Sequence, residues 1–340
     1  MKNIIFFTHA ENNPSGGAKV IYRHSQIIDE IKNFSSEVIH IKKKKLSKFK
    51  NSINKKLNFK NNTYSGWQLN EVTYAKNFNY NWFENKIKTK QNFEFNNKKD
   101  FIILPEIFAH LADELLIKKK IKYSIFVQNG YIINSTNNEK KLFAAYKNAE
   151  FILSISSDTT NCIKLKFPKL KTKILKVSYS LNLGDVNFDK KKNIITYMSR
   201  KLPQHSNLVI SYLKPYLSSK WHFKNLQNLS EKKTYEFLKK SKIFLSFSSL
   251  EGLGLPPVEA ALAGNHIIGY TGEGGNEYWQ EPLFTKVNSG EINKFVARII
   301  DKIDKNNFKK YYSKRKYNLL KKKFSKENEI KNIKKFLKLI

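Results

Sequence analysis

Two glutamates eight positions apart, Glu251 and Glu259, mark the stretch of this chain best suited to chemistry, Phe244 to Trp279. Its first part, FLSFSSLEGLGLPPVEAALAG, reads as an apolar strand over Lys242 to Phe247, a turn holding Gly252 and Gly254, and a helix. Pro256 and Pro257 open the helix and Gly264 closes it. Glycines let backbone amides approach a ligand closely, and prolines in a first helical turn forfeit only N–H groups that lack a partner inside the helix. A helix N-terminus of this kind attracts an anion or a hydroxyl-rich group. Glu251 before the turn and Glu259 one turn into the helix then face the crevice at the carboxyl end of the strand, where doubly wound folds bind ligands. The plain alternative is a capped turn and a helix with two solvated glutamates. The coincidence of glycines, prolines and both carboxylates after an apolar strand favours a site.

The pattern E-G-L-G-L-P-P-x-E-A-x-x-A-G resembles the E-x(7)-E signature of retaining, nucleotide-sugar-dependent glycosyltransferases with the GT-B fold, the group 1 or family 4 class. The resemblance is strong over about Asn193 to Glu281 and weaker in the first half. It implies that Glu259 meets the ribose hydroxyls of the donor nucleotide. Glu251, with the amides of Gly252, Leu253, Gly254 and Leu255, would hold hydroxyls of the transferred sugar. Ser199-Arg200-Lys201 stands where members place basic residues against the donor diphosphate, and the planar fork of Arg200 matches phosphate oxygens. Members often carry a lysine a few positions later; Gln204 and His205 occupy that place here, which leaves Lys201 or His205 as the second cation. Catalytic weight falls on Glu251 as a positioning group and on Arg200 for leaving-group charge.

The same resemblance covers Pro14-Ser15-Gly16-Gly17-Ala18 before the first helix, where Gly16 and Gly17 would let the backbone approach donor phosphates or acceptor. Thr271 to Glu277, TGEGGNE, matches a second glycine-rich loop. On the acceptor side, members often have a histidine where Gln128 and Asn129 stand. Those two can hydrogen-bond but cannot do acid–base work. Glu106, after Pro105, either faces the same cleft edge or simply starts a helix. No aspartate pair has D-x-D spacing, so the leaving diphosphate is expected to be met by side chains and a helix dipole, with no metal and no cofactor beyond the nucleotide-sugar co-substrate.

Short apolar runs separated by helical patterns must position these residues, and they indicate β-α-β units with parallel sheets. Expected strands are Asn3–Thr8, Glu37–Ile41, Asp100–Leu104, Tyr123–Gln128, Glu150–Ile155 and Lys173–Val177, then Asn193–Met198, Trp221–Phe223, Lys242–Phe247 and His266–Tyr270. Asn182 to Lys192 reads as a polar linker. The expected class is α/β, a GT-B arrangement of two Rossmann-like doubly wound domains facing a central cleft. Residues 1–181 form the acceptor domain, 193–323 the donor domain, and 324–340 a helix that docks back on the body, with Ser325 as its N-cap. Residues 42–99, rich in Lys and Asn with scattered aromatics, read either as an insertion carrying acceptor loops or as ordinary helices.

With 340 residues, two domains are the default; 40% hydrophobic and 14% aromatic residues exclude wholesale disorder. Cys162 is the lone cysteine, which excludes internal disulfides and fits a reducing cytoplasm. No run approaches the roughly 18 apolar residues of a membrane span. The net charge of +35 raises nucleic acid, an anionic membrane surface or a phosphorylated substrate as partners. Yet all but four of the 63 basic residues are lysine, and a base reader relies on arginine forks. Lysine, asparagine and isoleucine share A/T-rich codons, so coding bias alone could inflate the charge. The partners expected are therefore a nucleotide-diphosphate sugar, a glycan or lipid-linked acceptor and, as an option, an anionic membrane surface at the inner face, without specific nucleic acid. Rival readings are a polyanion-binding protein and a GT-B protein that binds nucleotide sugar without transferring it.

Overall fold

A computed structural model of the protein describes residues 1–44, 66–83, 85–181, 183–184, 186–187, 190–305 and 314–340. The stretch 45–65 of the lysine- and asparagine-rich segment, and residues 182, 185, 188 and 189 of the expected linker, lie outside the described residues. The chain divides into two compact units, Met1–Val177 with Ile330–Ile340, and Ser178–Glu329.

The first unit holds β1 (Lys2–His9), β2 (Phe34–Lys43), β3 (Val72–Tyr74), β4 (Asp100–Pro105), β5 (Tyr123–Val127), β6 (Phe151–Ser154) and β7 (Ile174–Lys176). They form one sheet in the order β3-β2-β1-β4-β5-β6-β7, parallel except for the antiparallel β2–β3 pair. Helices α1 (Gly16–Asp29), α2 (Glu139–Lys147) and α3 (Ser157–Lys166) are the crossovers. Ile4, Ile5, Phe6 and Phe7 are all buried, as a central parallel strand covered on both faces requires. Strand order reverses between β1 and β4, so a crevice opens at their carboxyl ends, His9 and Pro105.

In the second unit β8 (Lys192–Tyr197), β9 (His222–Asn225), β10 (Ser241–Glu251), β11 (His266–Glu273) and β12 (Phe284–Lys286) form an all-parallel sheet, ordered β12-β11-β10-β8-β9. Helices α4 (Pro203–Leu213), α5 (Glu231–Lys240), α6 (Leu255–Leu262), α7 (Ile292–Asp304) and α8 (Lys314–Lys323) surround it. Val209 and Leu213 of α4 join Phe295 and Ile299 of α7 in a core built on Ile195, Leu245 and Ile268. Here the order reverses between β8 and β10, which aims the residues after Tyr197 and around Glu251 at one crevice. Helix α9 (Lys326–Leu337) follows Ser325, whose Oγ accepts the Asn328 amide at 3.2 Å as an N-cap does. Its buried residues Ile333, Phe336 and Leu337 belong to the first unit.

The described part of 42–99 is neither a set of ordinary helices nor a separate sheet. Tyr80 stacks on Trp82 at 4.8 Å between ring centroids, and Tyr22 of α1 lies 4.7 Å from Tyr80 and 5.1 Å from Phe83. The Tyr22 hydroxyl and His40 Nε2 are 2.7 Å apart. These aromatics therefore serve as core for the β1–β2 edge.

Candidate functional site

Glu251 is the last residue of β10 and not part of the turn: pairing with β11 continues through Ser248↔Thr271 and, after an irregularity, Glu251↔Glu273. Leu250 and Glu273 adopt positive φ at 50° and 67°, so the ends of both strands depart from regular extension at the carboxyl edge of the sheet. Across the reversal point, Lys201 Nζ on the loop after β8 lies 3.4 Å from Glu251 Oε1. At this partly exposed position such a pair is worth about 0–1 kcal/mol, so its effect is placement rather than stability. Arg200, adjacent, is exposed, and no ion pair engages it among the described residues. Ser199 anchors the loop: it donates to Gln227 Oε1 at 2.8 Å and accepts from Asn225 Nδ2 at 2.9 Å. His205, in the first turn of α4, has Nδ1 3.1 Å from the Tyr270 hydroxyl. The second unit thus brings Glu251, Lys201, Arg200 and His205 to the carboxyl edge of one sheet.

Gly252, Leu253 and Gly254 connect β10 to α6. Gly254 is the N-cap at φ 73°, ψ 69°, a left-handed conformation that favours glycine, and no side chain caps this helix. Pro256 and Pro257 remove two of the first-turn donors, and the Val258 amide is the first with a partner inside the helix, so the Leu255 amide remains as the unspent one of that turn. Tyr278 donates to the Gly254 carbonyl at 2.6 Å. Because C=O and N–H point to opposite sides of a trans peptide, fixing that carbonyl fixes the direction of the Leu255 N–H. Burial, reinforced by the charges of Glu251 and Glu277, pushes the Tyr278 phenol well above its ordinary value, which keeps it a donor. Gly274 supports the loop from the other side. A Cβ there would meet the Gly252 carbonyl oxygen at 2.2 Å, so the Thr271–Glu277 segment is the bed on which the turn rests.

Glu259, on α6, is 9% exposed. Its Oε1 lies 3.1 Å from the Tyr235 hydroxyl of α5, and that hydroxyl is 2.6 Å from Glu231 Oε1. Lys191 donates to Leu238 O at 3.0 Å and Ala263 O at 2.6 Å, closing the C-terminal ends of α5 and α6 together. Burial draws its ammonium down to about 7. Reading from sequence missed Tyr278, Tyr235, Glu231 and Lys191. The Glu231–Tyr235 spacing of one helical turn was a signal; the carbonyls met by Tyr278 and Lys191 exist only in three dimensions.

In the first unit Gly17, Gln128, Asn129 and Glu106 come together at the β1–β4 reversal. Gln128 Nε2 donates to the Gly17 carbonyl at 2.9 Å, and a Cβ on Gly17 would lie 2.6 Å from Gln128 Oε1. Glu106 is 2% exposed and accepts the Gln128 and Asn129 amides at 3.2 and 3.0 Å, so its carboxyl shapes the loop after β5 from within. Burial, opposed by those hydrogen bonds, pushes it up to about 7. Asn129 Oδ1 accepts from Tyr131 N at 3.0 Å. Gly16 starts α1, whose N-cap Ser15 accepts from Ala18 N at 3.5 Å. Among the described residues no group of three or more His, Cys, Asp or Glu is placed to hold a metal ion, and no helix is long and apolar enough to cross a membrane.

The chain matches no protein-family model. The alpha-1,6-glucosyltransferase of Actinobacillus pleuropneumoniae serotype 7 (strain AP76) is 30% identical to it over 86 residues, which are 24% of this chain and 26% of that protein. The match thus spans about a quarter of that relative's length. Among solved structures, sucrose-phosphate synthase from Thermosynechococcus elongatus superposes with a TM-score of 0.68 at 10% identity, over 99% of this chain and 98% of that one. HepE from Anabaena, in complex with UDP, gives 0.66 at 11% identity over the whole of both chains. The pneumococcal O-GlcNAc transferase GtfA, in complex with UDP and GlcNAc, gives 0.54 at 15% identity over 71% of this chain, which spans only 57% of GtfA.

Proposed function

We propose that this chain, which has the GT-B fold, is a retaining glycosyltransferase that moves a sugar from a nucleotide-diphosphate donor to an acceptor hydroxyl. The observation that carries this reading is the carboxyl edge of β10, where Glu251, paired with Lys201, stands beside a glycine turn and a helix N-terminus whose first peptide is fixed by Tyr278. A carboxylate there accepts sugar hydroxyls, the Leu255 amide and the cations meet phosphate, and Glu259 meets the ribose. Solved structures of this fold hold UDP, which makes a uridine nucleotide the first donor to test.

Charge develops on the departing diphosphate as the glycosidic carbon–oxygen bond breaks. Arg200 and Lys201 meet that charge together with the start of α6, and Lys201 reaches the reaction already held by Glu251. Retention follows by attack on the same face, with a leaving phosphate oxygen taking the acceptor proton. Glu251 orients the sugar and forms no covalent bond to it. Lacking a D-x-D pair, the chain performs this transfer without a divalent metal, and the rate is expected to persist in a chelator. The acceptor is a glycan or lipid-linked hydroxyl of cell-surface glycan synthesis. Exposed lysines and Arg315 on α8 suit a peripheral position on an anionic inner-membrane face.

A thermal-shift screen of nucleoside diphosphates and their sugars tests donor binding, because a ligand bound only by the folded state raises apparent stability. Glu251→Ala and Arg200→Ala should each lower transfer by about 100-fold, in the range seen for lost transition-state donors. Near-normal rates in both variants would remove the assignment. Tight, salt-sensitive nucleic-acid binding indifferent to both substitutions would favour the polyanion reading.

A further inference from the structure

Glu231 and Tyr235 of α5 lie one helical turn apart, and the Tyr235 hydroxyl stands between two carboxylates, 2.6 Å from Glu231 Oε1 and 3.1 Å from Glu259 Oε1. One phenol supplies one proton to two acceptors. It cannot give it up to solvent, since burial and then the charges of Glu259 and Glu231 hold the phenol far above its ordinary value. The cluster is anchored at its far end, where Lys191 ties the last turn of α5 to that of α6. Tyr235 is thus fixed relative to the helix that carries Glu259, and a carboxylate that leans on a fixed phenol through Oε1 has one preferred orientation.

We propose that Tyr235 is a positioning residue for Glu259 and that, by holding the carboxylate in that orientation, it lets the site select a ribonucleotide over its 2′-deoxy counterpart. This rests on the reading of Glu259 as the contact to the nucleoside sugar. A vicinal diol offers two O–H donors to one correctly turned carboxylate, whereas a 2′-deoxyribose offers one. A carboxylate free to rotate gains less from the second donor. Selectivity, rather than bare affinity, is therefore the quantity Tyr235 controls.

The test measures dissociation constants of UDP, GDP, ADP and CDP and their 2′-deoxy forms on the full chain, in the wild type, Tyr235→Phe and Glu231→Gln, with melting temperatures alongside. The wild type is expected to prefer its ribonucleotide about tenfold or more, the size of one hydrogen bond to a charged group. Tyr235→Phe is expected to shrink that gap to about twofold. In a transfer assay the KM of its ribonucleotide donor rises about fivefold, the part of the gap that is lost, with kcat within about twofold. Glu231→Gln leaves a single carboxylate, turns the phenol proton to Glu259 and is expected to keep the gap, which tests the idea even where Tyr235→Phe folds poorly. A gap unchanged in Tyr235→Phe, or lost in Glu231→Gln, overturns the role of Tyr235 while the proposed function stands. Failure of the wild type to bind any of the nucleotides overturns the proposed function, and this inference with it.

Discussion

Glu106 is enclosed at the end of β4, with its carboxylate oxygens accepting the Gln128 and Asn129 amides, and burial pushes its carboxyl from the usual carboxylate range up to about 7. The folded state therefore holds this proton at pH values where the unfolded chain has released it. Stability from Glu106 is fully present below about 4.5 and is lost as pH rises through about 7. Glu106→Gln carries no such proton. The stability difference between wild type and Glu106→Gln, followed by urea unfolding from pH 4.5 to 8, should move against the wild type by about 3 kcal/mol, at ~1.4 kcal/mol per unit. A difference that stays flat or moves the other way would mean the carboxyl is ionised throughout. Sequence placed Glu106 after a strand and left two roles for it, acceptor contact or helix start. The contacts seen depend on the register Pro105↔Phe126, which brings the amides of the loop after β5 to the carboxylate. The positions of Glu251 at the strand end, Gly254 in the turn and Glu259 on the helix follow from spacing along the chain and were legible. The contacts of Glu106 and Tyr278 follow from register and tertiary packing and were not.

The turn between β10 and α6 works as an element because two glycines at different places are irreplaceable for different reasons. Gly254 needs its positive φ, and an added Cβ would stand 3.2 Å from the Tyr278 hydroxyl that fixes its carbonyl. Gly274 has no such φ, but its Cβ would drive into backbone, the Gly252 carbonyl at 2.2 Å, which no rotamer change relieves. Gly290 provides the control, with φ +89° and nothing within 4 Å of an added Cβ. Gly290→Ala is expected to cost about 1 kcal/mol of backbone strain and leave nucleotide binding unchanged. Gly254→Ala and Gly274→Ala should each weaken nucleotide binding at least tenfold, Gly274→Ala with the larger fall in melting temperature. Equal effects of all three on binding would show that the turn is not the ligand's bed. Each of the ten strands marked by apolar runs is present in the sheets, whereas Val72–Tyr74 and Phe284–Lys286, at three residues each, are too short to show a period. β10 was expected to end at Phe247. It continues to Glu251 because pairing with β11 holds Ser248 onward, a decision the partner strand makes.

At the scale of the whole molecule, the chain leaves its first unit after Val177 and returns to it at Ile330, so the last eleven residues serve a fold begun at Met1. The spacing of Ile333, Phe336 and Leu337 with lysines opposite marked an apolar face; it could not say which unit that face covers. Phe336 settles this through its neighbours: its ring lies 5.8 Å from Phe101 of β4 and 6.4 Å from Phe151 of β6, both near-perpendicular contacts in the first unit. Removing a buried phenylalanine ring costs about 3–5 kcal/mol, a large share of the roughly 5–15 kcal/mol that holds a domain folded. Nucleotide, in contrast, binds through residues of Ser178–Glu329 in the proposed function and stabilises that unit by mass action. Two units with separate cores need not melt in one step. Scanning calorimetry of Phe336→Ala with and without nucleotide should then resolve two transitions, one lowered by the substitution and the other raised by the ligand. Were the ligand to raise the same transition that Phe336→Ala lowers, and no other, the nucleotide would belong to the first unit, and the assignment of Glu251, Lys201 and Glu259 as its contacts would fall.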